Sequence, residues 1–490
     1  VATPTGVLDG VAVYTWSGGQ WTPPGGSPSP STPSGALRGV AAFDWDGAVW
    51  QPAGQAGPDV ATPFGVLQGV ARFGWTGTAW AATGAPSLSL DFMTPGALDS
   101  RITVTRASTA TYTDAGGTIR TAAANAPRWD YAGGTLNGLL IEEARTNLLA
   151  PSIPDAVGWG PGDATLTLNA GTAPDGANTM TRMVEAATTA IHLLSKNVAV
   201  TASVTNTFSV YAKAAQIRYL QIFMDNGANV GSWVTFDLQA GVISGPLTAS
   251  GVAIGTASIL PAGNGVWRCI LSGQIGAATT ARVLLMTSNV ANPGVFPSYP
   301  GNTANGLLLW GAQLEQSTGA SSYIPTTGAT VTRAADVAAM PTAAWFSPAA
   351  GSLAVEFLTA NMPTPGTHSG ILQMNDGTGV NQVNLYLQLN SGNETFDVSI
   401  GSVSQMSVNG AFGATGTPQK VALAYGGGSW RYAYAGTVNS GAGSAVPFPA
   451  TTINLGTINP PTQWKLNGYM RRLQYWPRAL SNAEMQAVTT

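Results

Sequence analysis

From Ala150 to the last residue, short runs of alternating apolar and polar side chains recur every ten to twenty residues, separated by Gly, Asn or Pro. NTFSVYAKA, YLQIFMDN, SWVTFDL, VWRCILSGQI, ARVLLMTS and GLLLWGAQLE come first, up to about Pro341. SLAVEFLT, QVNLYLQLN, TFDVSIG, KVALAYGG, WRYAYAG and NGYMRRLQYWP follow from Thr342. A period of two marks a strand with one buried face, and runs this short leave little room for helices. The pattern predicts an all-β chain with two β-sandwiches in series, 150–341 and 342–490. Composition agrees: Gly numbers 61 and Pro 32, and 15 Trp supply core aromatics. One helix is expected, at the very end, where Ser481 and Glu484 form a capping-box pair in SNAE.

The first 86 residues are built differently. TPTGVLDGVAVYTWSGGQW from Thr3 returns as TPSGALRGVAAFDWDGAVW from Thr32 and TPFGVLQGVARFGWTGTAW from Thr62. Glycines recur at Gly6, Gly35 and Gly65, then at Gly10, Gly39 and Gly69, and the tryptophans pair as Trp16/Trp21, Trp45/Trp50 and Trp75/Trp80. Each copy reads as a small hairpin, which is marginal in water unless it leans on neighbours. The Trp pairs suit ligand stacking or a hairpin core, and the core reading fits better because so small a unit needs every aromatic it has. Pro/Gly/Ser runs join the copies, so a stalk, collar or attachment element is expected. VATPTGVL at Val1 repeats VATPFGVL at Val60, which places the first residue inside the repeat and predicts processing or further copies before it.

Only 9% of residues are charged and the net charge is −3, so no basic field exists to hold nucleic acid. Cys269 is the single cysteine, which excludes an internal disulfide framework. No apolar run approaches the roughly 18 residues of a membrane span, no signal-peptide pattern is visible, and no membrane insertion is expected.

Two stretches carry a family resemblance. RASTATYTDAGGTIRTAAANAPRWDY with GLLIEEARTNLL, and later WGAQLE (Trp310–Glu315) with SSYIPTTGATVTRAAD (Ser321–Asp336), resemble segments of phage tail-fibre, head-fibre and gene-transfer-agent spike proteins. In such proteins they bracket a jelly roll similar to carbohydrate-binding modules. SVYAKA (Ser209–Ala214) and VWRC (Val266–Cys269) sit where that pattern has them, and the terminal NGYMRRLQYWPRALSNAEMQAV resembles a concanavalin A-like, laminin G-type sandwich. The resemblance covers roughly residues 87–490 and implies a connecting segment over 87–149 and a virion location; the N-terminal repeats lie outside it and are expected, as an attachment element, to meet other virion proteins. A homo-oligomer, with a trimer expected, follows from the avidity that weak sugar sites need.

Alternation separates the two rows of each strand. Leu220, Ile222 and Met224 form one row, opposed by Tyr219, Gln221, Phe223 and Asp225. Val234, Phe236 and Leu238 look inward, leaving Trp233 outside. Tyr211 and Lys213 oppose Phe208, Val210 and Ala212. Cys269 shares a core row with Trp267 and Leu271, so Arg268 points the other way. In the last block Asn384 and Tyr386 oppose Val383, Leu385 and Leu387, and the Trp430 row suits core. Faces mixing aromatic rings with amides and charges suit sugars, because rings cover C–H faces and planar amides bond paired hydroxyls. The same faces serve equally as solvated surface or as pairing surface for another sheet or subunit.

Signals for catalysis are weak. Glu394 and Asp397 lie on opposite faces of one strand, whereas a glycosidase needs two carboxyls about 5–10 Å apart across a bond. Retaining β-glucanases, which share the laminin G-type architecture, carry their acids in a strand pattern absent here. Glu142–Glu143 suit structural hydrogen bonds or salt bridges, and His192 and His368 lie in no nucleophile-elbow context. No zinc-ligand spacing or cofactor motif is present. Asn375, Asp376 and Asn381 lie in a Gly-rich loop that suits a plain turn better than calcium. A non-catalytic virion fibre or spike subunit that binds a bacterial surface glycan is therefore expected. A polysaccharide depolymerase and a purely structural collar or decoration protein are the alternatives.

Overall fold

The computed structural model describes residues 85–490 apart from 97, 361–367, 389–392, 402, 412–415, 441–448 and 459–463, together with the short strands of the repeats. The chain divides into two compact units, Val1–Pro86 and Ser87–Thr490. In the first, Thr15–Ser17 pairs antiparallel with Gln20–Thr22, and Trp16 stands opposite Trp21. The other copies repeat this register, Trp45 opposite Trp50 and Trp75 opposite Trp80. Whether those rings form core or a stacking surface lies outside the described side chains.

Among its described residues the second unit is all β except for one 3-10 turn and a terminal helix, and it contains two antiparallel sandwiches. Eight strands dominate the first. In chain order they are Met180–Glu185, Leu193–Ala199, Asn206–Ala214, Tyr219–Asp225, Gly231–Asp237, Trp267–Gly273, Thr280–Ser288 and Gly306–Glu315. Numbered one to eight, they lie 1-8-3-6 in one sheet and 2-7-4-5 in the other, which is the jelly-roll order. The inward rows are those that alternation selects. Phe208, Val210, Ala212, Leu220, Ile222, Met224, Val234, Phe236, Cys269 and Leu271 are all fully buried in one core. That burial also pushes the Cys269 thiol pKa up, so the group is an inert part of the core.

The two sandwiches are nested along the chain. The last one faces Gly351–Thr359, Gln419–Gly426, Ser429–Tyr434 and Gly468–Trp476 against a sheet that includes His368–Asn375, Gln382–Gln388, Asn393–Ile400 and Thr452–Leu455. Strands from before the jelly roll complete both layers. Leu88–Asp91 and Thr135–Ile141 each pair with Gly468–Trp476, and Thr103–Thr105 pairs with Val337–Pro341. The stretch expected to connect the blocks is thus built into the second sandwich, and the jelly roll is an insertion in it. Leu88, Leu90, Leu139 and Ile141 share the core with Trp430 and Tyr432.

The residues that carry the family resemblance hold this junction together. Arg106 and Arg128 both pair with the Asp336 carboxylate, and Arg128 also meets Glu142 at 2.8 Å. Arg333 lies 3.5 Å from Glu142. All five side chains are buried. Glu142 further accepts from the Ser322 amide and hydroxyl, both at 2.7 Å. Burial alone disfavours its charge, but Arg333 and Arg128 outweigh that and hold the carboxyl at about 2. At the end of the chain, Asn482–Thr489 is helical with the Ser481–Glu484 capping box in place.

Candidate functional site

A cleft of about 810 Å³ lies where the jelly roll meets the second sandwich, within the size range of small-ligand pockets. One wall is the outer face of the sheet holding Thr256–Pro261 and Trp267–Gly273, from which Thr256, Ser258, Leu260, Arg268, Ile270 and Ser272 face the opening. Strict alternation puts these on one side because Ala257, Ile259, Cys269 and Leu271 belong to the core. The opposite wall holds His368, Trp464, Asn467 and Tyr469, while Thr111, Tyr112, Asp130, Asn137, Glu142 and Glu143 come from the segment before the jelly roll.

Tyr211 and Arg268 stand opposite each other in the strand register and both line the cleft. The Arg268 guanidinium lies 5.4 Å from the Tyr211 ring centre, and its Nη2 donates to Ser209 Oγ at 3.0 Å. Trp310 and Tyr323 pack edge-on to Tyr211 at 5.4 and 6.0 Å. Across the cleft His368 stacks on Trp464 at 4.0 Å, with Tyr386 against both, 5.0 and 5.4 Å away.

Three carboxyl groups line the cleft. Glu142 belongs to the buried arginine network, and Glu143 pairs with Arg145 and accepts from Asn467 Nδ2 at 3.0 Å. Asp130 accepts from the Thr113 amide at 2.6 Å and from the Tyr469 hydroxyl at 2.8 Å. Burial raises its pKa to about 6 against those hydrogen bonds.

The structure sorts the residues selected from sequence. Arg268 lines the cleft; Tyr211 beside it differs from expectation, being 5% exposed and enclosed by Trp310, Tyr323 and Arg268, while Lys213 lies two residues along the same row and Tyr386 backs the far wall. Asn384 is 6% exposed and joins an amide ladder, accepting from Gln373 Nε2 at 3.1 Å while Asn454 Nδ2 donates to Gln373 Oε1 at 2.9 Å.

The face of the other jelly-roll sheet differs from expectation. Gln221, Phe223 and Asp225 are 1%, 0% and 0% exposed, so they present no open surface. The chain between Ser288 and Tyr299 folds back over Gln221 and Phe223. Phe296 packs on Phe223 at 5.4 Å and Gly294 O accepts from Gln221 Nε2 at 3.0 Å. Trp233, half-buried, packs edge-on to Phe223 at 5.4 Å, and Asp225 is neutralised by Arg282 on the adjacent strand at 2.6 Å. Tyr219 remains half-buried with Arg218 over its ring at 5.3 Å.

His192 and the Asn375–Asn381 loop, neither of them expected to be a site, are bonded internally. Both His192 ring nitrogens meet backbone carbonyls, of Asp163 at 2.7 Å and Tyr299 at 3.2 Å, so this histidine is structural. Asp376 accepts from the Thr378 amide and hydroxyl and from Asn381, which makes its loop a self-bonded turn. No cluster of three or more metal-ligating side chains occurs among the described residues. The Glu394 side chain lies outside the described residues. Trp464, Asn467, Tyr469 and Asp130 were not distinguished by sequence pattern, since each belongs to a different turn or strand end and shares no periodicity with the others.

No family model matches the chain. No curated protein matches it either. Solved structures resemble parts of it at low similarity. The carbohydrate-binding module CBM40 of Ruminococcus gnavus IT-sialidase is 16% identical over 29% of this chain and 84% of its own, with a TM-score of 0.26. Domain 4 of AbnA, a GH43 extracellular arabinanase from Geobacillus stearothermophilus solved with arabinotriose, is 15% identical over 35% of this chain and 82% of its own, TM-score 0.26. Trypanosoma rangeli sialidase is 11% identical over 63% of this chain and 60% of its own, TM-score 0.25. Likenesses at this level carry no assignment of ligand or activity.

Proposed function

We propose that this chain binds a polysaccharide in the cleft between its sandwiches, without cleaving it, as a fibre or spike subunit on a virion that adsorbs to a bacterial coat. The observation that carries the reading is the cleft itself, lined by the stacked rings of Trp464 and His368, by Arg268 and by hydroxyl and amide groups. Such rings cover pyranose C–H faces while the amides bond hydroxyl pairs. The virion role rests on the wording of the two fibre-like sequence stretches. Weak single sites suffice if several subunits act together, so a homo-oligomer, with three copies expected, belongs to the proposal.

Non-catalytic binding is supported by the engagement of Glu142 and Glu143 with arginines, which leaves Asp130 as the one carboxyl of the cleft without an arginine ion pair among the described residues. One observation favours hydrolysis instead: Asp130 titrates near 6, a range suited to a general acid. Incubating the purified protein with capsular polysaccharide, while following sedimentation and reducing ends, separates the readings. Co-sedimentation with a flat reducing-end signal is expected, and Trp464→Ala reduces it about tenfold, in line with the loss of one stacked ring. A rising reducing-end signal that Asp130→Asn abolishes overturns the non-catalytic reading. Failure to retain any surface glycan of capsulated cells overturns glycan binding altogether.

A further inference from the structure

Arginines in this unit are mostly spoken for. Arg106, Arg128 and Arg333 are locked in the buried network, and Arg145, Arg218, Arg282 and Arg471 each have a carboxylate. Among the described residues Arg182 and Arg431 also meet neutral oxygens instead of a carboxylate, but away from the cleft, which leaves Arg268. It lines the cleft, yet no carboxylate comes within 4.0 Å of its guanidinium among the described residues, and its one side-chain hydrogen bond goes to the neutral Ser209 hydroxyl. Its Nε is buried without a partner, and its central carbon lies 5.4 Å from the Tyr211 ring centre. The carboxyls sharing the cleft do not answer it, because Glu142 and Glu143 have arginines of their own and both Asp130 oxygens accept from Tyr469 and Thr113.

A guanidinium beside an aromatic ring, with donors left over at the wall of a polar cleft, suits a carboxylate. We propose that the saccharide bound here is acidic, and that Arg268 receives a sugar carboxylate while the Trp464–His368 wall stacks on an adjoining ring. This rests on the glycan-binding reading and narrows it to one substrate class. Arg268 acts as a specificity determinant, since the aromatic wall holds neutral and acidic sugars alike.

Calorimetry on the full chain tests it, with hexuronate, sialyl and pyruvylated oligosaccharides each paired with its carboxyl-reduced neutral counterpart. The wild type is expected to bind at least one acidic member about tenfold to a hundredfold tighter than its neutral partner, the range of a charge-assisted hydrogen bond. Arg268→Gln brings the two affinities together, Arg268→Lys keeps part of the preference, and Trp464→Ala weakens both members of the pair by a similar factor. Equal affinity for both members in the wild type, or a preference unchanged in Arg268→Gln at an unaltered melting temperature, overturns the acidic assignment and leaves glycan binding standing. Binding of no member of the panel, together with no retention by capsule, overturns both.

Discussion

Glu142 shows how much a single buried carboxylate can carry. It bonds the Ser322 amide and hydroxyl, meets Arg128 and Arg333, and so links the segment before the jelly roll to the segment after it. Glu142→Ala leaves three buried arginines, Arg106, Arg128 and Arg333, to share the Asp336 carboxylate, and a loss of about 3–5 kcal/mol in urea-denaturation stability at pH 7 is expected. The sign of its pH dependence follows from the pKa. The folded value is about 2 against an ordinary 4.5, so its stabilisation is present above pH 4.5 and disappears as pH falls toward 2. Wild type and variant should therefore converge in stability across that window. Asp130 works the other way. Its folded value is raised to about 6, so its favourable contribution is full below the ordinary 3.8 and is lost as pH rises through 6. Denaturation midpoints of wild type and Asp130→Asn measured from pH 3.5 to 7 should shift against the wild type over that interval.

The strand Tyr219–Asp225 illustrates the same point for an element. Both of its rows are buried, Leu220, Ile222 and Met224 beneath the partner sheet and Phe223 beneath Phe296 and Trp233. Removing the Phe223 ring should cost about 3–5 kcal/mol, the range for a buried aromatic, and leave saccharide affinity at the cleft unchanged. Thermal melts and calorimetry on Phe223→Ala check both halves. The terminal helix depends on a smaller device, since Ser481 Oγ accepts from the Glu484 amide at 3.3 Å and the Glu484 carboxylate accepts from the Ser481 amide at 2.7 Å. This pair was legible in SNAE because a capping box is local in sequence.

For the second unit as a whole, the nesting of one sandwich inside the other sets what can fold alone. A fragment of residues 342–490 lacks Leu88–Asp91, Thr135–Ile141 and Val337–Pro341, and with them Leu88, Leu90, Leu139, Ile141 and Met340 of the core. It is expected to show no cooperative melt by circular dichroism, whereas 87–490 melts cooperatively. Cooperative unfolding of the short fragment would show that the preceding strands are dispensable.

Local pattern determined the rows that face each core, the strand character of the chain, the hairpins of the repeats and the helix cap, because each depends on residues a few positions apart. Phe208, Val234 and Leu385 went inside because a period of two leaves an apolar row no other place to go. Which outward row stays open was decided only by the tertiary structure. The Phe223 row was covered by the chain between Ser288 and Tyr299, while the Arg268 row was left to line a cleft whose other residues range from Thr111 to Tyr469. Covering a sheet is an encounter between segments far apart in sequence, so alternation, which knows only its own strand, cannot specify it.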